Sequence, residues 1–264
     1  MKKTLLILAL VFSLQNVFSQ MDERFYHPDK EWIGINFPQY EEIILPVDND
    51  TIYSLIVKPT NNIKATVIYF HGNGGNISKW ADRIQPFVDN NYQVCIMDYR
   101  GFGKSTGKPT HLNIAHDAQI LFDTLMQNND IANTPLIVYG ASIGSQVATL
   151  ITKNNNEKIS ALVLDGAMAS FTDVALATTP PDQHEIIKQY VTSPYSAKEN
   201  MPFLKDLKVL FIHSEKDFIP IQEAREMYNN TQCKKEFWTY EGKHVDASVN
   251  HPALFMEYID KLLK

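Results

Sequence analysis

The sequence predicts an α/β fold in which a mostly parallel, doubly wound sheet carries helices on both faces. Short apolar runs rich in Val, Ile, Tyr and Phe recur along the chain, and most are continuous rather than alternating. Parallel strands that are buried on both faces have this pattern. Helix-like stretches separate the runs, and a strand–helix alternation repeated this often favours a doubly wound sheet.

An antiparallel hairpin is predicted at the start of the sheet. Its strands are Glu42–Val47 and Thr51–Lys58, joined by the turn Asp48-Asn49-Asp50. A (β/α)₈ barrel is the alternative architecture, but such a barrel would not begin with a hairpin. The hairpin therefore favours an open sheet with an antiparallel N-terminal part.

Further strands and helices follow in alternation and complete an eight-stranded sheet. The remaining strands are Ala65–Phe70, Gln93–Asp98, Leu136–Tyr139, Ala161–Leu164, Val209–His213 and Glu236–Tyr240. The helices are Lys79–Asn90, Asn113–Gln127, Ile143–Lys153, Ile221–Tyr228 and Pro252–Leu263.

Residues 166–205 interrupt this alternation. They separate two predicted strands by about forty residues, and connections of that length in a compact domain are usually lids or binding segments. The segment contains one modest helix, Asp182–Val191, flanked by Pro180-Pro181 and Pro194. We predict a single domain over residues 20–264 that carries a small lid insertion.

Residues 1–19 have the organisation of a signal peptide. Two lysines precede the apolar run Leu5–Phe12, which is shorter than the roughly 20 residues of a membrane span. Val17 and Ser19 are small and predict cleavage between Ser19 and Gln20. An uncleaved membrane anchor is the alternative. We expect an exported protein, periplasmic or secreted, with no stable membrane span after cleavage.

Composition and charge narrow the classes of function. The chain has 264 residues, of which 44% are hydrophobic and 20% charged, as in ordinary globular proteins. The formal net charge is −6, and Lys and Arg form no cluster. A non-specific nucleic-acid binder needs a basic surface that neutralises phosphates. We therefore expect no nucleic-acid partner, and the sequence leaves the oligomeric state open.

The two cysteines are too few for a disulfide framework, even in an oxidising compartment. Cys95 lies in the apolar run Tyr92–Met97, where it is expected to be a buried hydrophobe. Cys233 lies in a polar turn before the last strand. Several strands, each about 4.8 Å from the next, should separate the two residues, so we predict no disulfide between them.

A candidate nucleophile stands at one strand–helix junction. Gly140-Ala141-Ser142-Ile143-Gly144 follows the strand Leu136–Tyr139 and opens a helix. In a G-x-S-x-G elbow the serine occupies a strained turn, and the flanking glycines remove Cβ atoms that would clash. The helix N-terminus also favours negative charge that develops beside the serine.

A serine nucleophile needs a general base and an acid that orients it, and the chain order Ser–Asp–His fits. Asp217 follows the strand Val209–His213, and His244 follows the last strand. Both lie at carboxyl ends of strands, where open α/β sheets build their sites. Asp165 and Glu215 are alternative acids. Asp217 is favoured because it lies in a turn, whereas Asp165 is better placed to bond backbone at its strand end.

An oxyanion hole needs two N–H donors beside the nucleophile. Asn73, in the glycine-rich loop His71–Asn76, and Ile143, directly after the serine, are the candidates. Clustered glycines allow the backbone of that loop to approach a substrate oxygen. His71 is interpreted as a structural residue of the loop rather than a ligand.

Nucleotide and metal sites are the alternatives to weigh. Gly103-Lys104-Ser105 resembles the end of a phosphate-binding loop, but Asp98 stands where the first glycine is required. The dinucleotide fingerprint fails at Thr106, where a small third residue is needed. His111 and His116 do not have zinc-ligand spacing. No cofactor and no metal are predicted.

Together these segments resemble the α/β-hydrolase superfamily, and within it the small serine hydrolases grouped as serine-aminopeptidase-like or bud-emergence-suppressor-like proteins. The segments are His71–Asn76, Asp98–Gly107, Gly140–Gly144, Val209–Asp217 with Pro220, and Gly242–His244, in the family's order. The resemblance spans residues 43–264.

The resemblance implies that Ser142 is the nucleophile, Asp217 the acid and His244 the base. It also implies that Asn73 and Ile143 supply the oxyanion N–H groups. One residue departs from the pattern. Ser214 stands where such proteins commonly carry glycine, and the change bears on the turn that presents Asp217.

We expect an exported serine hydrolase that cleaves carboxylic esters, with thioesters as a related substrate, through an acyl-enzyme. The expected partner is a small-molecule or lipid-like acyl substrate, and the short, polar lid insertion favours short acyl chains. A serine peptidase or aminopeptidase of the same fold is the alternative enzyme. A non-catalytic binding protein of this fold is the alternative from another class.

Overall fold

An eight-stranded mixed sheet forms the centre of the protein in the computed structural model, which describes residues 22–264. The predicted leader 1–19 and its cleavage site lie outside the described residues. The described chain has ten strands, of which β1 and β5 pair only with each other and the other eight form this sheet. They are β1 His27–Pro28, β2 Tyr40–Val47, β3 Asp50–Val57, β4 Ala65–Phe70, β5 Gly74–Gly75, β6 Tyr92–Met97, β7 Leu136–Ala141, β8 Ala161–Asp165, β9 Lys208–Ser214 and β10 Lys234–Tyr240.

The strand order in the large sheet is β10-β9-β8-β7-β4-β6-β3-β2. The pairs β2–β3 and β3–β6 are antiparallel, and every other pair in this sheet is parallel. The predicted fold class and the antiparallel N-terminal hairpin are therefore confirmed. The sheet is open, which excludes the barrel.

Ten α-helices, several of them only one turn long, complete the described chain. They are α1 Ile77–Asp89, α2 His111–Leu125, α3 Asn129–Ala132, α4 Gly144–Asn154, α5 Phe171–Thr178, α6 His184–Tyr190, α7 Ala197–Asn200, α8 Ile221–Asn230, α9 Ala247–Asn250 and α10 Pro252–Lys261. None of them is long and apolar enough to cross a membrane.

Helices cover both faces of the sheet and produce two apolar cores. Every residue of β4 is buried, yet its side chains alternate between the two faces. Ile68 and Phe70 belong to the core that contains residues of α2, α4 and α8, whereas Val67 and Tyr69 belong to the core that contains residues of α1 and α10. Burial on both sides explains why the strand sequences are continuously apolar.

Local sequence signals fix the starts of the longer helices. Thr110 and Asn113 form a reciprocal capping box at the start of α2. At the start of α1 the Asn76 side chain accepts a hydrogen bond from the Ser78 N–H. These caps satisfy backbone donors that have no partner inside the helix.

The insertion 166–205 contains more structure than the sequence predicted. The predicted helix Asp182–Val191 is present as α6, but the prediction of a single helix was wrong, because α5 and α7 flank it. Ser170 caps α5 by accepting from Asp173 N, and Ser196 caps α7 by accepting from Glu199 N. These S-x-x-D/E starts are helix signals inside a segment whose prolines suggested loop.

A segment before the first predicted strand also belongs to the fold. Residues 22–33, called here the N-terminal strap, run past the glycine-rich loop, and β1 pairs with β5 in parallel. Tyr26 is buried, and its hydroxyl lies 2.9 Å from Nδ1 of His111. The strap therefore contacts both the glycine-rich loop and α2.

Candidate active site

The junction between β7 and α4 has the geometry of a strained elbow. Ser142 lies between them with a φ of 53°, in the left-handed region that residues other than glycine seldom adopt. Its N–H donates to the Asp165 carbonyl at 2.8 Å, which ties the turn to the neighbouring strand β8. Ser142 is 8% exposed and lines a cavity, so the hydroxyl is held at a surface that a small molecule can reach.

The two glycines of the elbow are required by packing. A Cβ atom at Gly144 would overlap the carbonyl oxygen of Phe70, and one at Gly140 would lie 2.6 Å from Cα of Ser145. Both neighbours are backbone atoms that cannot turn aside. The chain at this junction therefore passes against β4 and against its own helix more closely than any side chain allows.

His244 and Asp217 form a hydrogen-bonded pair beside this elbow. Nδ1 of His244 lies 2.7 Å from Oδ2 of Asp217. The other oxygen, Oδ1, accepts the Ile219 N–H at 2.9 Å. The Asp217 side chain is 1% exposed and that of His244 is 20% exposed. The carboxylate is thus fixed and shielded, and it determines which ring nitrogen of His244 carries the proton.

The charge state of Asp217 follows from its contacts. Burial alone would raise the pKa of this carboxyl, but the hydrogen bond with His244 and the Coulomb attraction between the two side chains oppose that effect. Together with the Ile219 N–H and nearby His213, they hold the pKa of Asp217 below its usual range. Asp217 is therefore an anion at neutral pH, as a residue that stabilises an imidazolium must be.

The Nε2 side of the His244 ring has no hydrogen-bond partner among the described residues. The Nε2 atom itself is buried. The Phe218 ring packs edge-on against the imidazole, with ring centroids 4.6 Å apart. A Cβ atom at Gly166 would lie 2.6 Å from Cε1 of His244, so this glycine makes room for the ring.

Asn73 and Ile143 line the same cavity as Ser142. Across residues 22–264, neither backbone N–H donates a hydrogen bond to another residue. The Asn73 carbonyl accepts the N–H of His27 at 2.8 Å, and the Gly74 carbonyl accepts the indole N–H of Trp80 at 2.8 Å. Hydrogen bonds thus fix the Asn73 and Gly74 carbonyls of this loop. Within residues 22–264, the N–H groups of Asn73 and Ile143 remain available to bind a substrate oxygen.

The cavity over the elbow has a volume of about 290 Å³. Most of its lining side chains are apolar or uncharged. The lid insertion contributes Met168, Val174, Ala175, Thr178, Thr179, Gln183, Ile187 and Val191, the loop after β9 contributes Phe218 and Ile219, and the strap contributes Arg24 and Phe25. The lid and the strap together form most of its wall.

A second, more polar depression lies beside His244. It is lined by Lys216, Phe218, Glu241, Gly242, Lys243, His244, Asp246 and Asn250. Phe218 lines both spaces, whereas His244 lines only this one and Ser142 only the first. Phe218 therefore separates an apolar cavity over Ser142 from a more polar depression over the loop that carries His244.

Asp165, the alternative acid, makes a different contact from the one expected. Its Oδ2 atom accepts the Tyr139 hydroxyl at 2.7 Å, so the expected bond to backbone is wrong. Register explains this, because β7 and β8 are parallel neighbours and both residues lie near the carboxyl ends of their strands. Burial raises the pKa of Asp165 to about 7, although Tyr139 and the charge of His244 oppose the rise. Glu215, the third candidate, is exposed.

Ser214, the departure from the family pattern, connects the two loops that carry the pair. Its hydroxyl donates to the Gly242 carbonyl at 2.5 Å and accepts the Lys216 N–H at 3.1 Å. The turn that holds Asp217 and the loop that holds His244 are thereby joined. The serine side chain fits this turn and adds a bond that glycine could not make.

The remaining candidates from the sequence are structural. His71 is fully buried, and its Nδ1 donates to the Gly72 carbonyl at 2.7 Å. Burial lowers the pKa of His71 to about 4, so the ring is neutral near pH 7. Lys104, the lysine of the phosphate-loop-like segment, bonds Glu42 and the Tyr53 hydroxyl, each at 3.0 Å. Among residues 22–264, no group of three or more His, Cys, Asp or Glu side chains could hold a metal ion.

Comparison with known proteins places this geometry in a family. A family model described as serine aminopeptidase, S33, matches residues 61–188, which include Asn73 and Ser142. Protein bem46 of Schizosaccharomyces pombe is 35% identical over 185 residues, covering 69% of this chain and 62% of that protein. The structure is similar to that of the esterase Pf2001 from Pyrococcus furiosus, with a TM-score of 0.71. The chain belongs to the α/β-hydrolase superfamily.

These similarities differ in sequence identity and in how much of the α/β hydrolase they cover. The esterase Pf2001 is 19% identical, and the match covers 91% of this chain and 97% of that one, so the likeness is one of fold. YfhR of Escherichia coli, an uncharacterised protein, is 28% identical over 242 residues, 88% of this chain and 84% of that protein. The segments that carry Asp217 and His244 lie beyond the residues that the family model matches.

Sequence reasoning missed some residues that line the cavity of this α/β hydrolase. Arg24 and Phe25 lie in a polar segment before the first recognisable strand, and no motif there indicates a role. Phe218 directly follows Asp217, and its exposure of 63% marks it only once the structure is known. In the sequence, the only signal that could have identified it is its place directly after a candidate acid.

Proposed function

We propose that this α/β hydrolase is an exported serine hydrolase that cleaves carboxylic esters, and related thioesters, through Ser142, His244 and Asp217. The observation that carries the proposal is the 2.7 Å bond between His244 Nδ1 and Asp217, beside an elbow that holds Ser142 at a φ of 53°. A strained serine next to an oriented histidine is the arrangement that nucleophilic acyl transfer requires.

In the proposed reaction, Nε2 of His244 accepts the hydroxyl proton of Ser142 as the serine oxygen attacks the ester carbonyl carbon. The negative charge moves to the carbonyl oxygen, where the N–H groups of Asn73 and Ile143 stabilise it. His244 then gives the proton to the departing alkoxide, which leaves an acyl-enzyme. Water, deprotonated by the same histidine, attacks the acyl carbon, and His244 returns the proton to the Ser142 oxygen as the acid leaves.

Ester hydrolysis is favoured over aminopeptidase activity by the charges in the cavity. An aminopeptidase must hold the positive amino terminus of a peptide, and a carboxylate is the natural partner for that group. Among the described residues that line the cavity there is no Asp or Glu. We therefore propose an esterase rather than an aminopeptidase, although the matching family model is described as a serine aminopeptidase.

The size of the cavity supports short acyl chains. Pockets for drug-sized ligands run from about 300 to 1,000 Å³, and this cavity of about 290 Å³ lies at the lower end. Its lid is built from short helices and gives no long apolar groove. We expect the highest kcat/KM on acyl groups of a few carbons, with a decline towards palmitoyl.

The decisive experiment measures hydrolysis of p-nitrophenyl esters from acetyl to palmitoyl by the wild type, Ser142→Ala and Ser160→Ala. Ser160 is an exposed serine before β8, and its side chain makes no hydrogen bond within the described residues, so it is the matched control. We expect Ser142→Ala to lose several orders of magnitude in kcat and the control to keep full activity. Activity of Ser142→Ala within tenfold of the wild type would refute the nucleophile.

Labelling with a fluorophosphonate separates the enzyme from a non-catalytic binding protein. The reagent should attach to Ser142, and peptide mass spectrometry should locate it there. A folded protein that neither hydrolyses any ester of the series nor accepts the label would instead support the binding protein. Hydrolysis of aminoacyl p-nitroanilides without hydrolysis of esters would support the aminopeptidase.

Export is proposed from the leader pattern of residues 1–19 alone. Expression of the full chain in a bacterium, followed by cell fractionation and intact mass, tests it. We expect protein that begins at Gln20 in the periplasm or medium. Full-length protein that stays in the cytoplasm or membrane would contradict export with cleavage.

A further inference from the structure

Arg24 is the one charged side chain among the residues found to line the 290 Å³ cavity in the described part of the chain. The other lining residues are apolar or uncharged, and they include Ser142 and Ile143 of the elbow. A guanidinium in such surroundings is a specific partner for a carboxylate or another planar anion, because it offers several N–H donors in a fixed plane.

The strap holds Arg24 in place from both sides. On one side, the Asp22 carboxylate accepts the His111 N–H at 3.0 Å. On the other, Tyr26 is buried with its hydroxyl 2.9 Å from His111 Nδ1, and the next residue, His27, donates to the Asn73 carbonyl. Arg24 therefore belongs to a turn whose backbone is anchored to α2 and to the glycine-rich loop, and its exposed side chain lies at the mouth of the cavity.

The charge of Arg24 is not neutralised within residues 22–264. The adjacent carboxylate, Glu23, lies 3.7 Å from Lys108, and no carboxylate of the described chain lies within 4.0 Å of the Arg24 guanidinium. The protein as a whole has a formal charge of −6 and repels anions at long range. The unpaired positive charge of Arg24 therefore gives this cavity a local attraction for anions on a protein with a negative net charge.

The position of His244 determines which part of an ester would meet Arg24. The leaving group must receive its proton from His244, so it lies on the side of Ser142 towards His244 and the polar depression that this residue lines. The acyl part is then left to occupy the cavity that contains Ser142 and Arg24. We propose, resting on the esterase function above, that the substrates are half-esters of dicarboxylic acids, whose free carboxylate binds Arg24.

Three ethyl esters with acyl chains of matched length test this proposal. Monoethyl adipate carries a terminal carboxylate, ethyl hexanoate is neutral, and ethyl 6-aminohexanoate carries a terminal cation. Ethanol release gives kcat/KM for each, and the selectivity is the ratio of adipate to hexanoate. We expect this ratio to exceed one in the wild type, and the cationic ester to be the poorest substrate.

The variants are Arg24→Gln, Arg24→Glu and Arg24→Lys, with Lys188→Gln as the control. Lys188 lies on the lid helix α6, is 57% exposed and does not line the cavity, so its loss makes the same change in net charge. We expect Arg24→Gln to lower the adipate-to-hexanoate ratio about tenfold, the loss of one charge-assisted contact. Arg24→Glu should lower it further, Arg24→Lys should restore part of it, and Lys188→Gln should leave it unchanged.

The outcomes separate this proposal from the esterase function. Hydrolysis of ethyl hexanoate with no preference for adipate in the wild type would overturn the role of Arg24 and leave the esterase intact. An equal fall in the ratio for Lys188→Gln would attribute the preference to net charge and also overturn it. No hydrolysis of any ester by folded wild type would overturn the esterase function itself.

Discussion

The Tyr139 hydroxyl donates a 2.7 Å hydrogen bond to the Asp165 carboxylate, and both side chains are buried. This bond directs one oxygen of Asp165 towards the neighbouring strand, while His244 is bonded by Asp217. Two buried carboxylates thus lie near one histidine, but only one of them bonds it. Because Asp217 bonds His244 and Asp165 bonds Tyr139, replacement by Asn should have different effects at the two positions.

Asp217→Asn should lower kcat by about 10⁴, the size known for loss of the acid in a serine-protease triad. The amide would keep the shape of the side chain but would favour the wrong histidine tautomer. Asp165→Asn should keep kcat within a few-fold and destabilise the fold by about 1–3 kcal/mol, because the bond from Tyr139 is altered in a buried site. Steady-state kinetics and the thermal midpoint of both variants give the answer. An inactive Asp165→Asn at unchanged midpoint, beside an active Asp217→Asn, would reverse the assignment.

The raised pKa of Asp165, about 7 against a usual value of 3.8, predicts a pH-dependent stability. Between these values the folded state binds a proton that the unfolded state has lost. The stabilisation of the fold by protonated Asp165 is therefore complete below about pH 4 and is lost as the pH rises through about 7. The free energy of unfolding of the wild type minus that of Asp165→Asn should fall over this window, by at most about 1.4 kcal/mol per pH unit.

Urea unfolding of both proteins at several pH values between 4 and 8 measures this difference. Asp98, whose pKa burial also raises to about 7, is present in both proteins, so its effect cancels. A difference that stays constant across the range would mean that Asp165 is already ionised in the folded state.

The bond from the His27 N–H to the Asn73 carbonyl predicts an effect of the strap on catalysis. His27→Pro removes this donor, and we expect kcat to fall about fivefold because the glycine-rich loop loses a hydrogen bond worth about 1 kcal/mol. His27→Ala keeps the N–H and is the matched control, with kcat near that of the wild type. An equal loss in both variants would assign the effect to the imidazole rather than to the backbone bond.

The cysteines should remain thiols even in an oxidising compartment. Cys95 is buried in β6 and Cys233 precedes β10, and β9, β8, β7 and β4 lie between those strands. In denaturant without reductant, an alkylating reagent should add a label to each of the 2 cysteines, as read from the intact mass. Protein that takes up no label until it is reduced would show the disulfide that the geometry opposes.

The sheet could be predicted because each strand carries its own signal. Burial on both faces makes strands such as β4 and β8 apolar throughout, and that pattern needs no knowledge of neighbours. The proximity of Asp217 and His244 could be predicted for a related reason, since both follow parallel strands that end at one edge of the sheet. These features depend on local sequence and on a general rule of the fold.

The features that sequence reasoning missed depend on distant residues. Tyr26 of the strap bonds His111, 85 residues away, and nothing in the polar segment around it indicates that contact. The partner of Asp165 depended on which strand lies beside β8 and in what register, which composition does not reveal. Contacts between segments far apart in the chain are set by the whole fold rather than by any local preference.

The order of the strands has a consequence for biosynthesis. β7, which carries the serine elbow, is synthesised well before the loop after β10 that carries His244. The growing chain folds from its N-terminal part onwards, and any product interrupted before residue 244 contains Ser142 without His244. Under the proposed chemistry, a ribosome-bound or prematurely terminated chain is inert. Hydrolysis then begins only after nearly the whole polypeptide has been made, which protects the esters of the compartment in which it is translated.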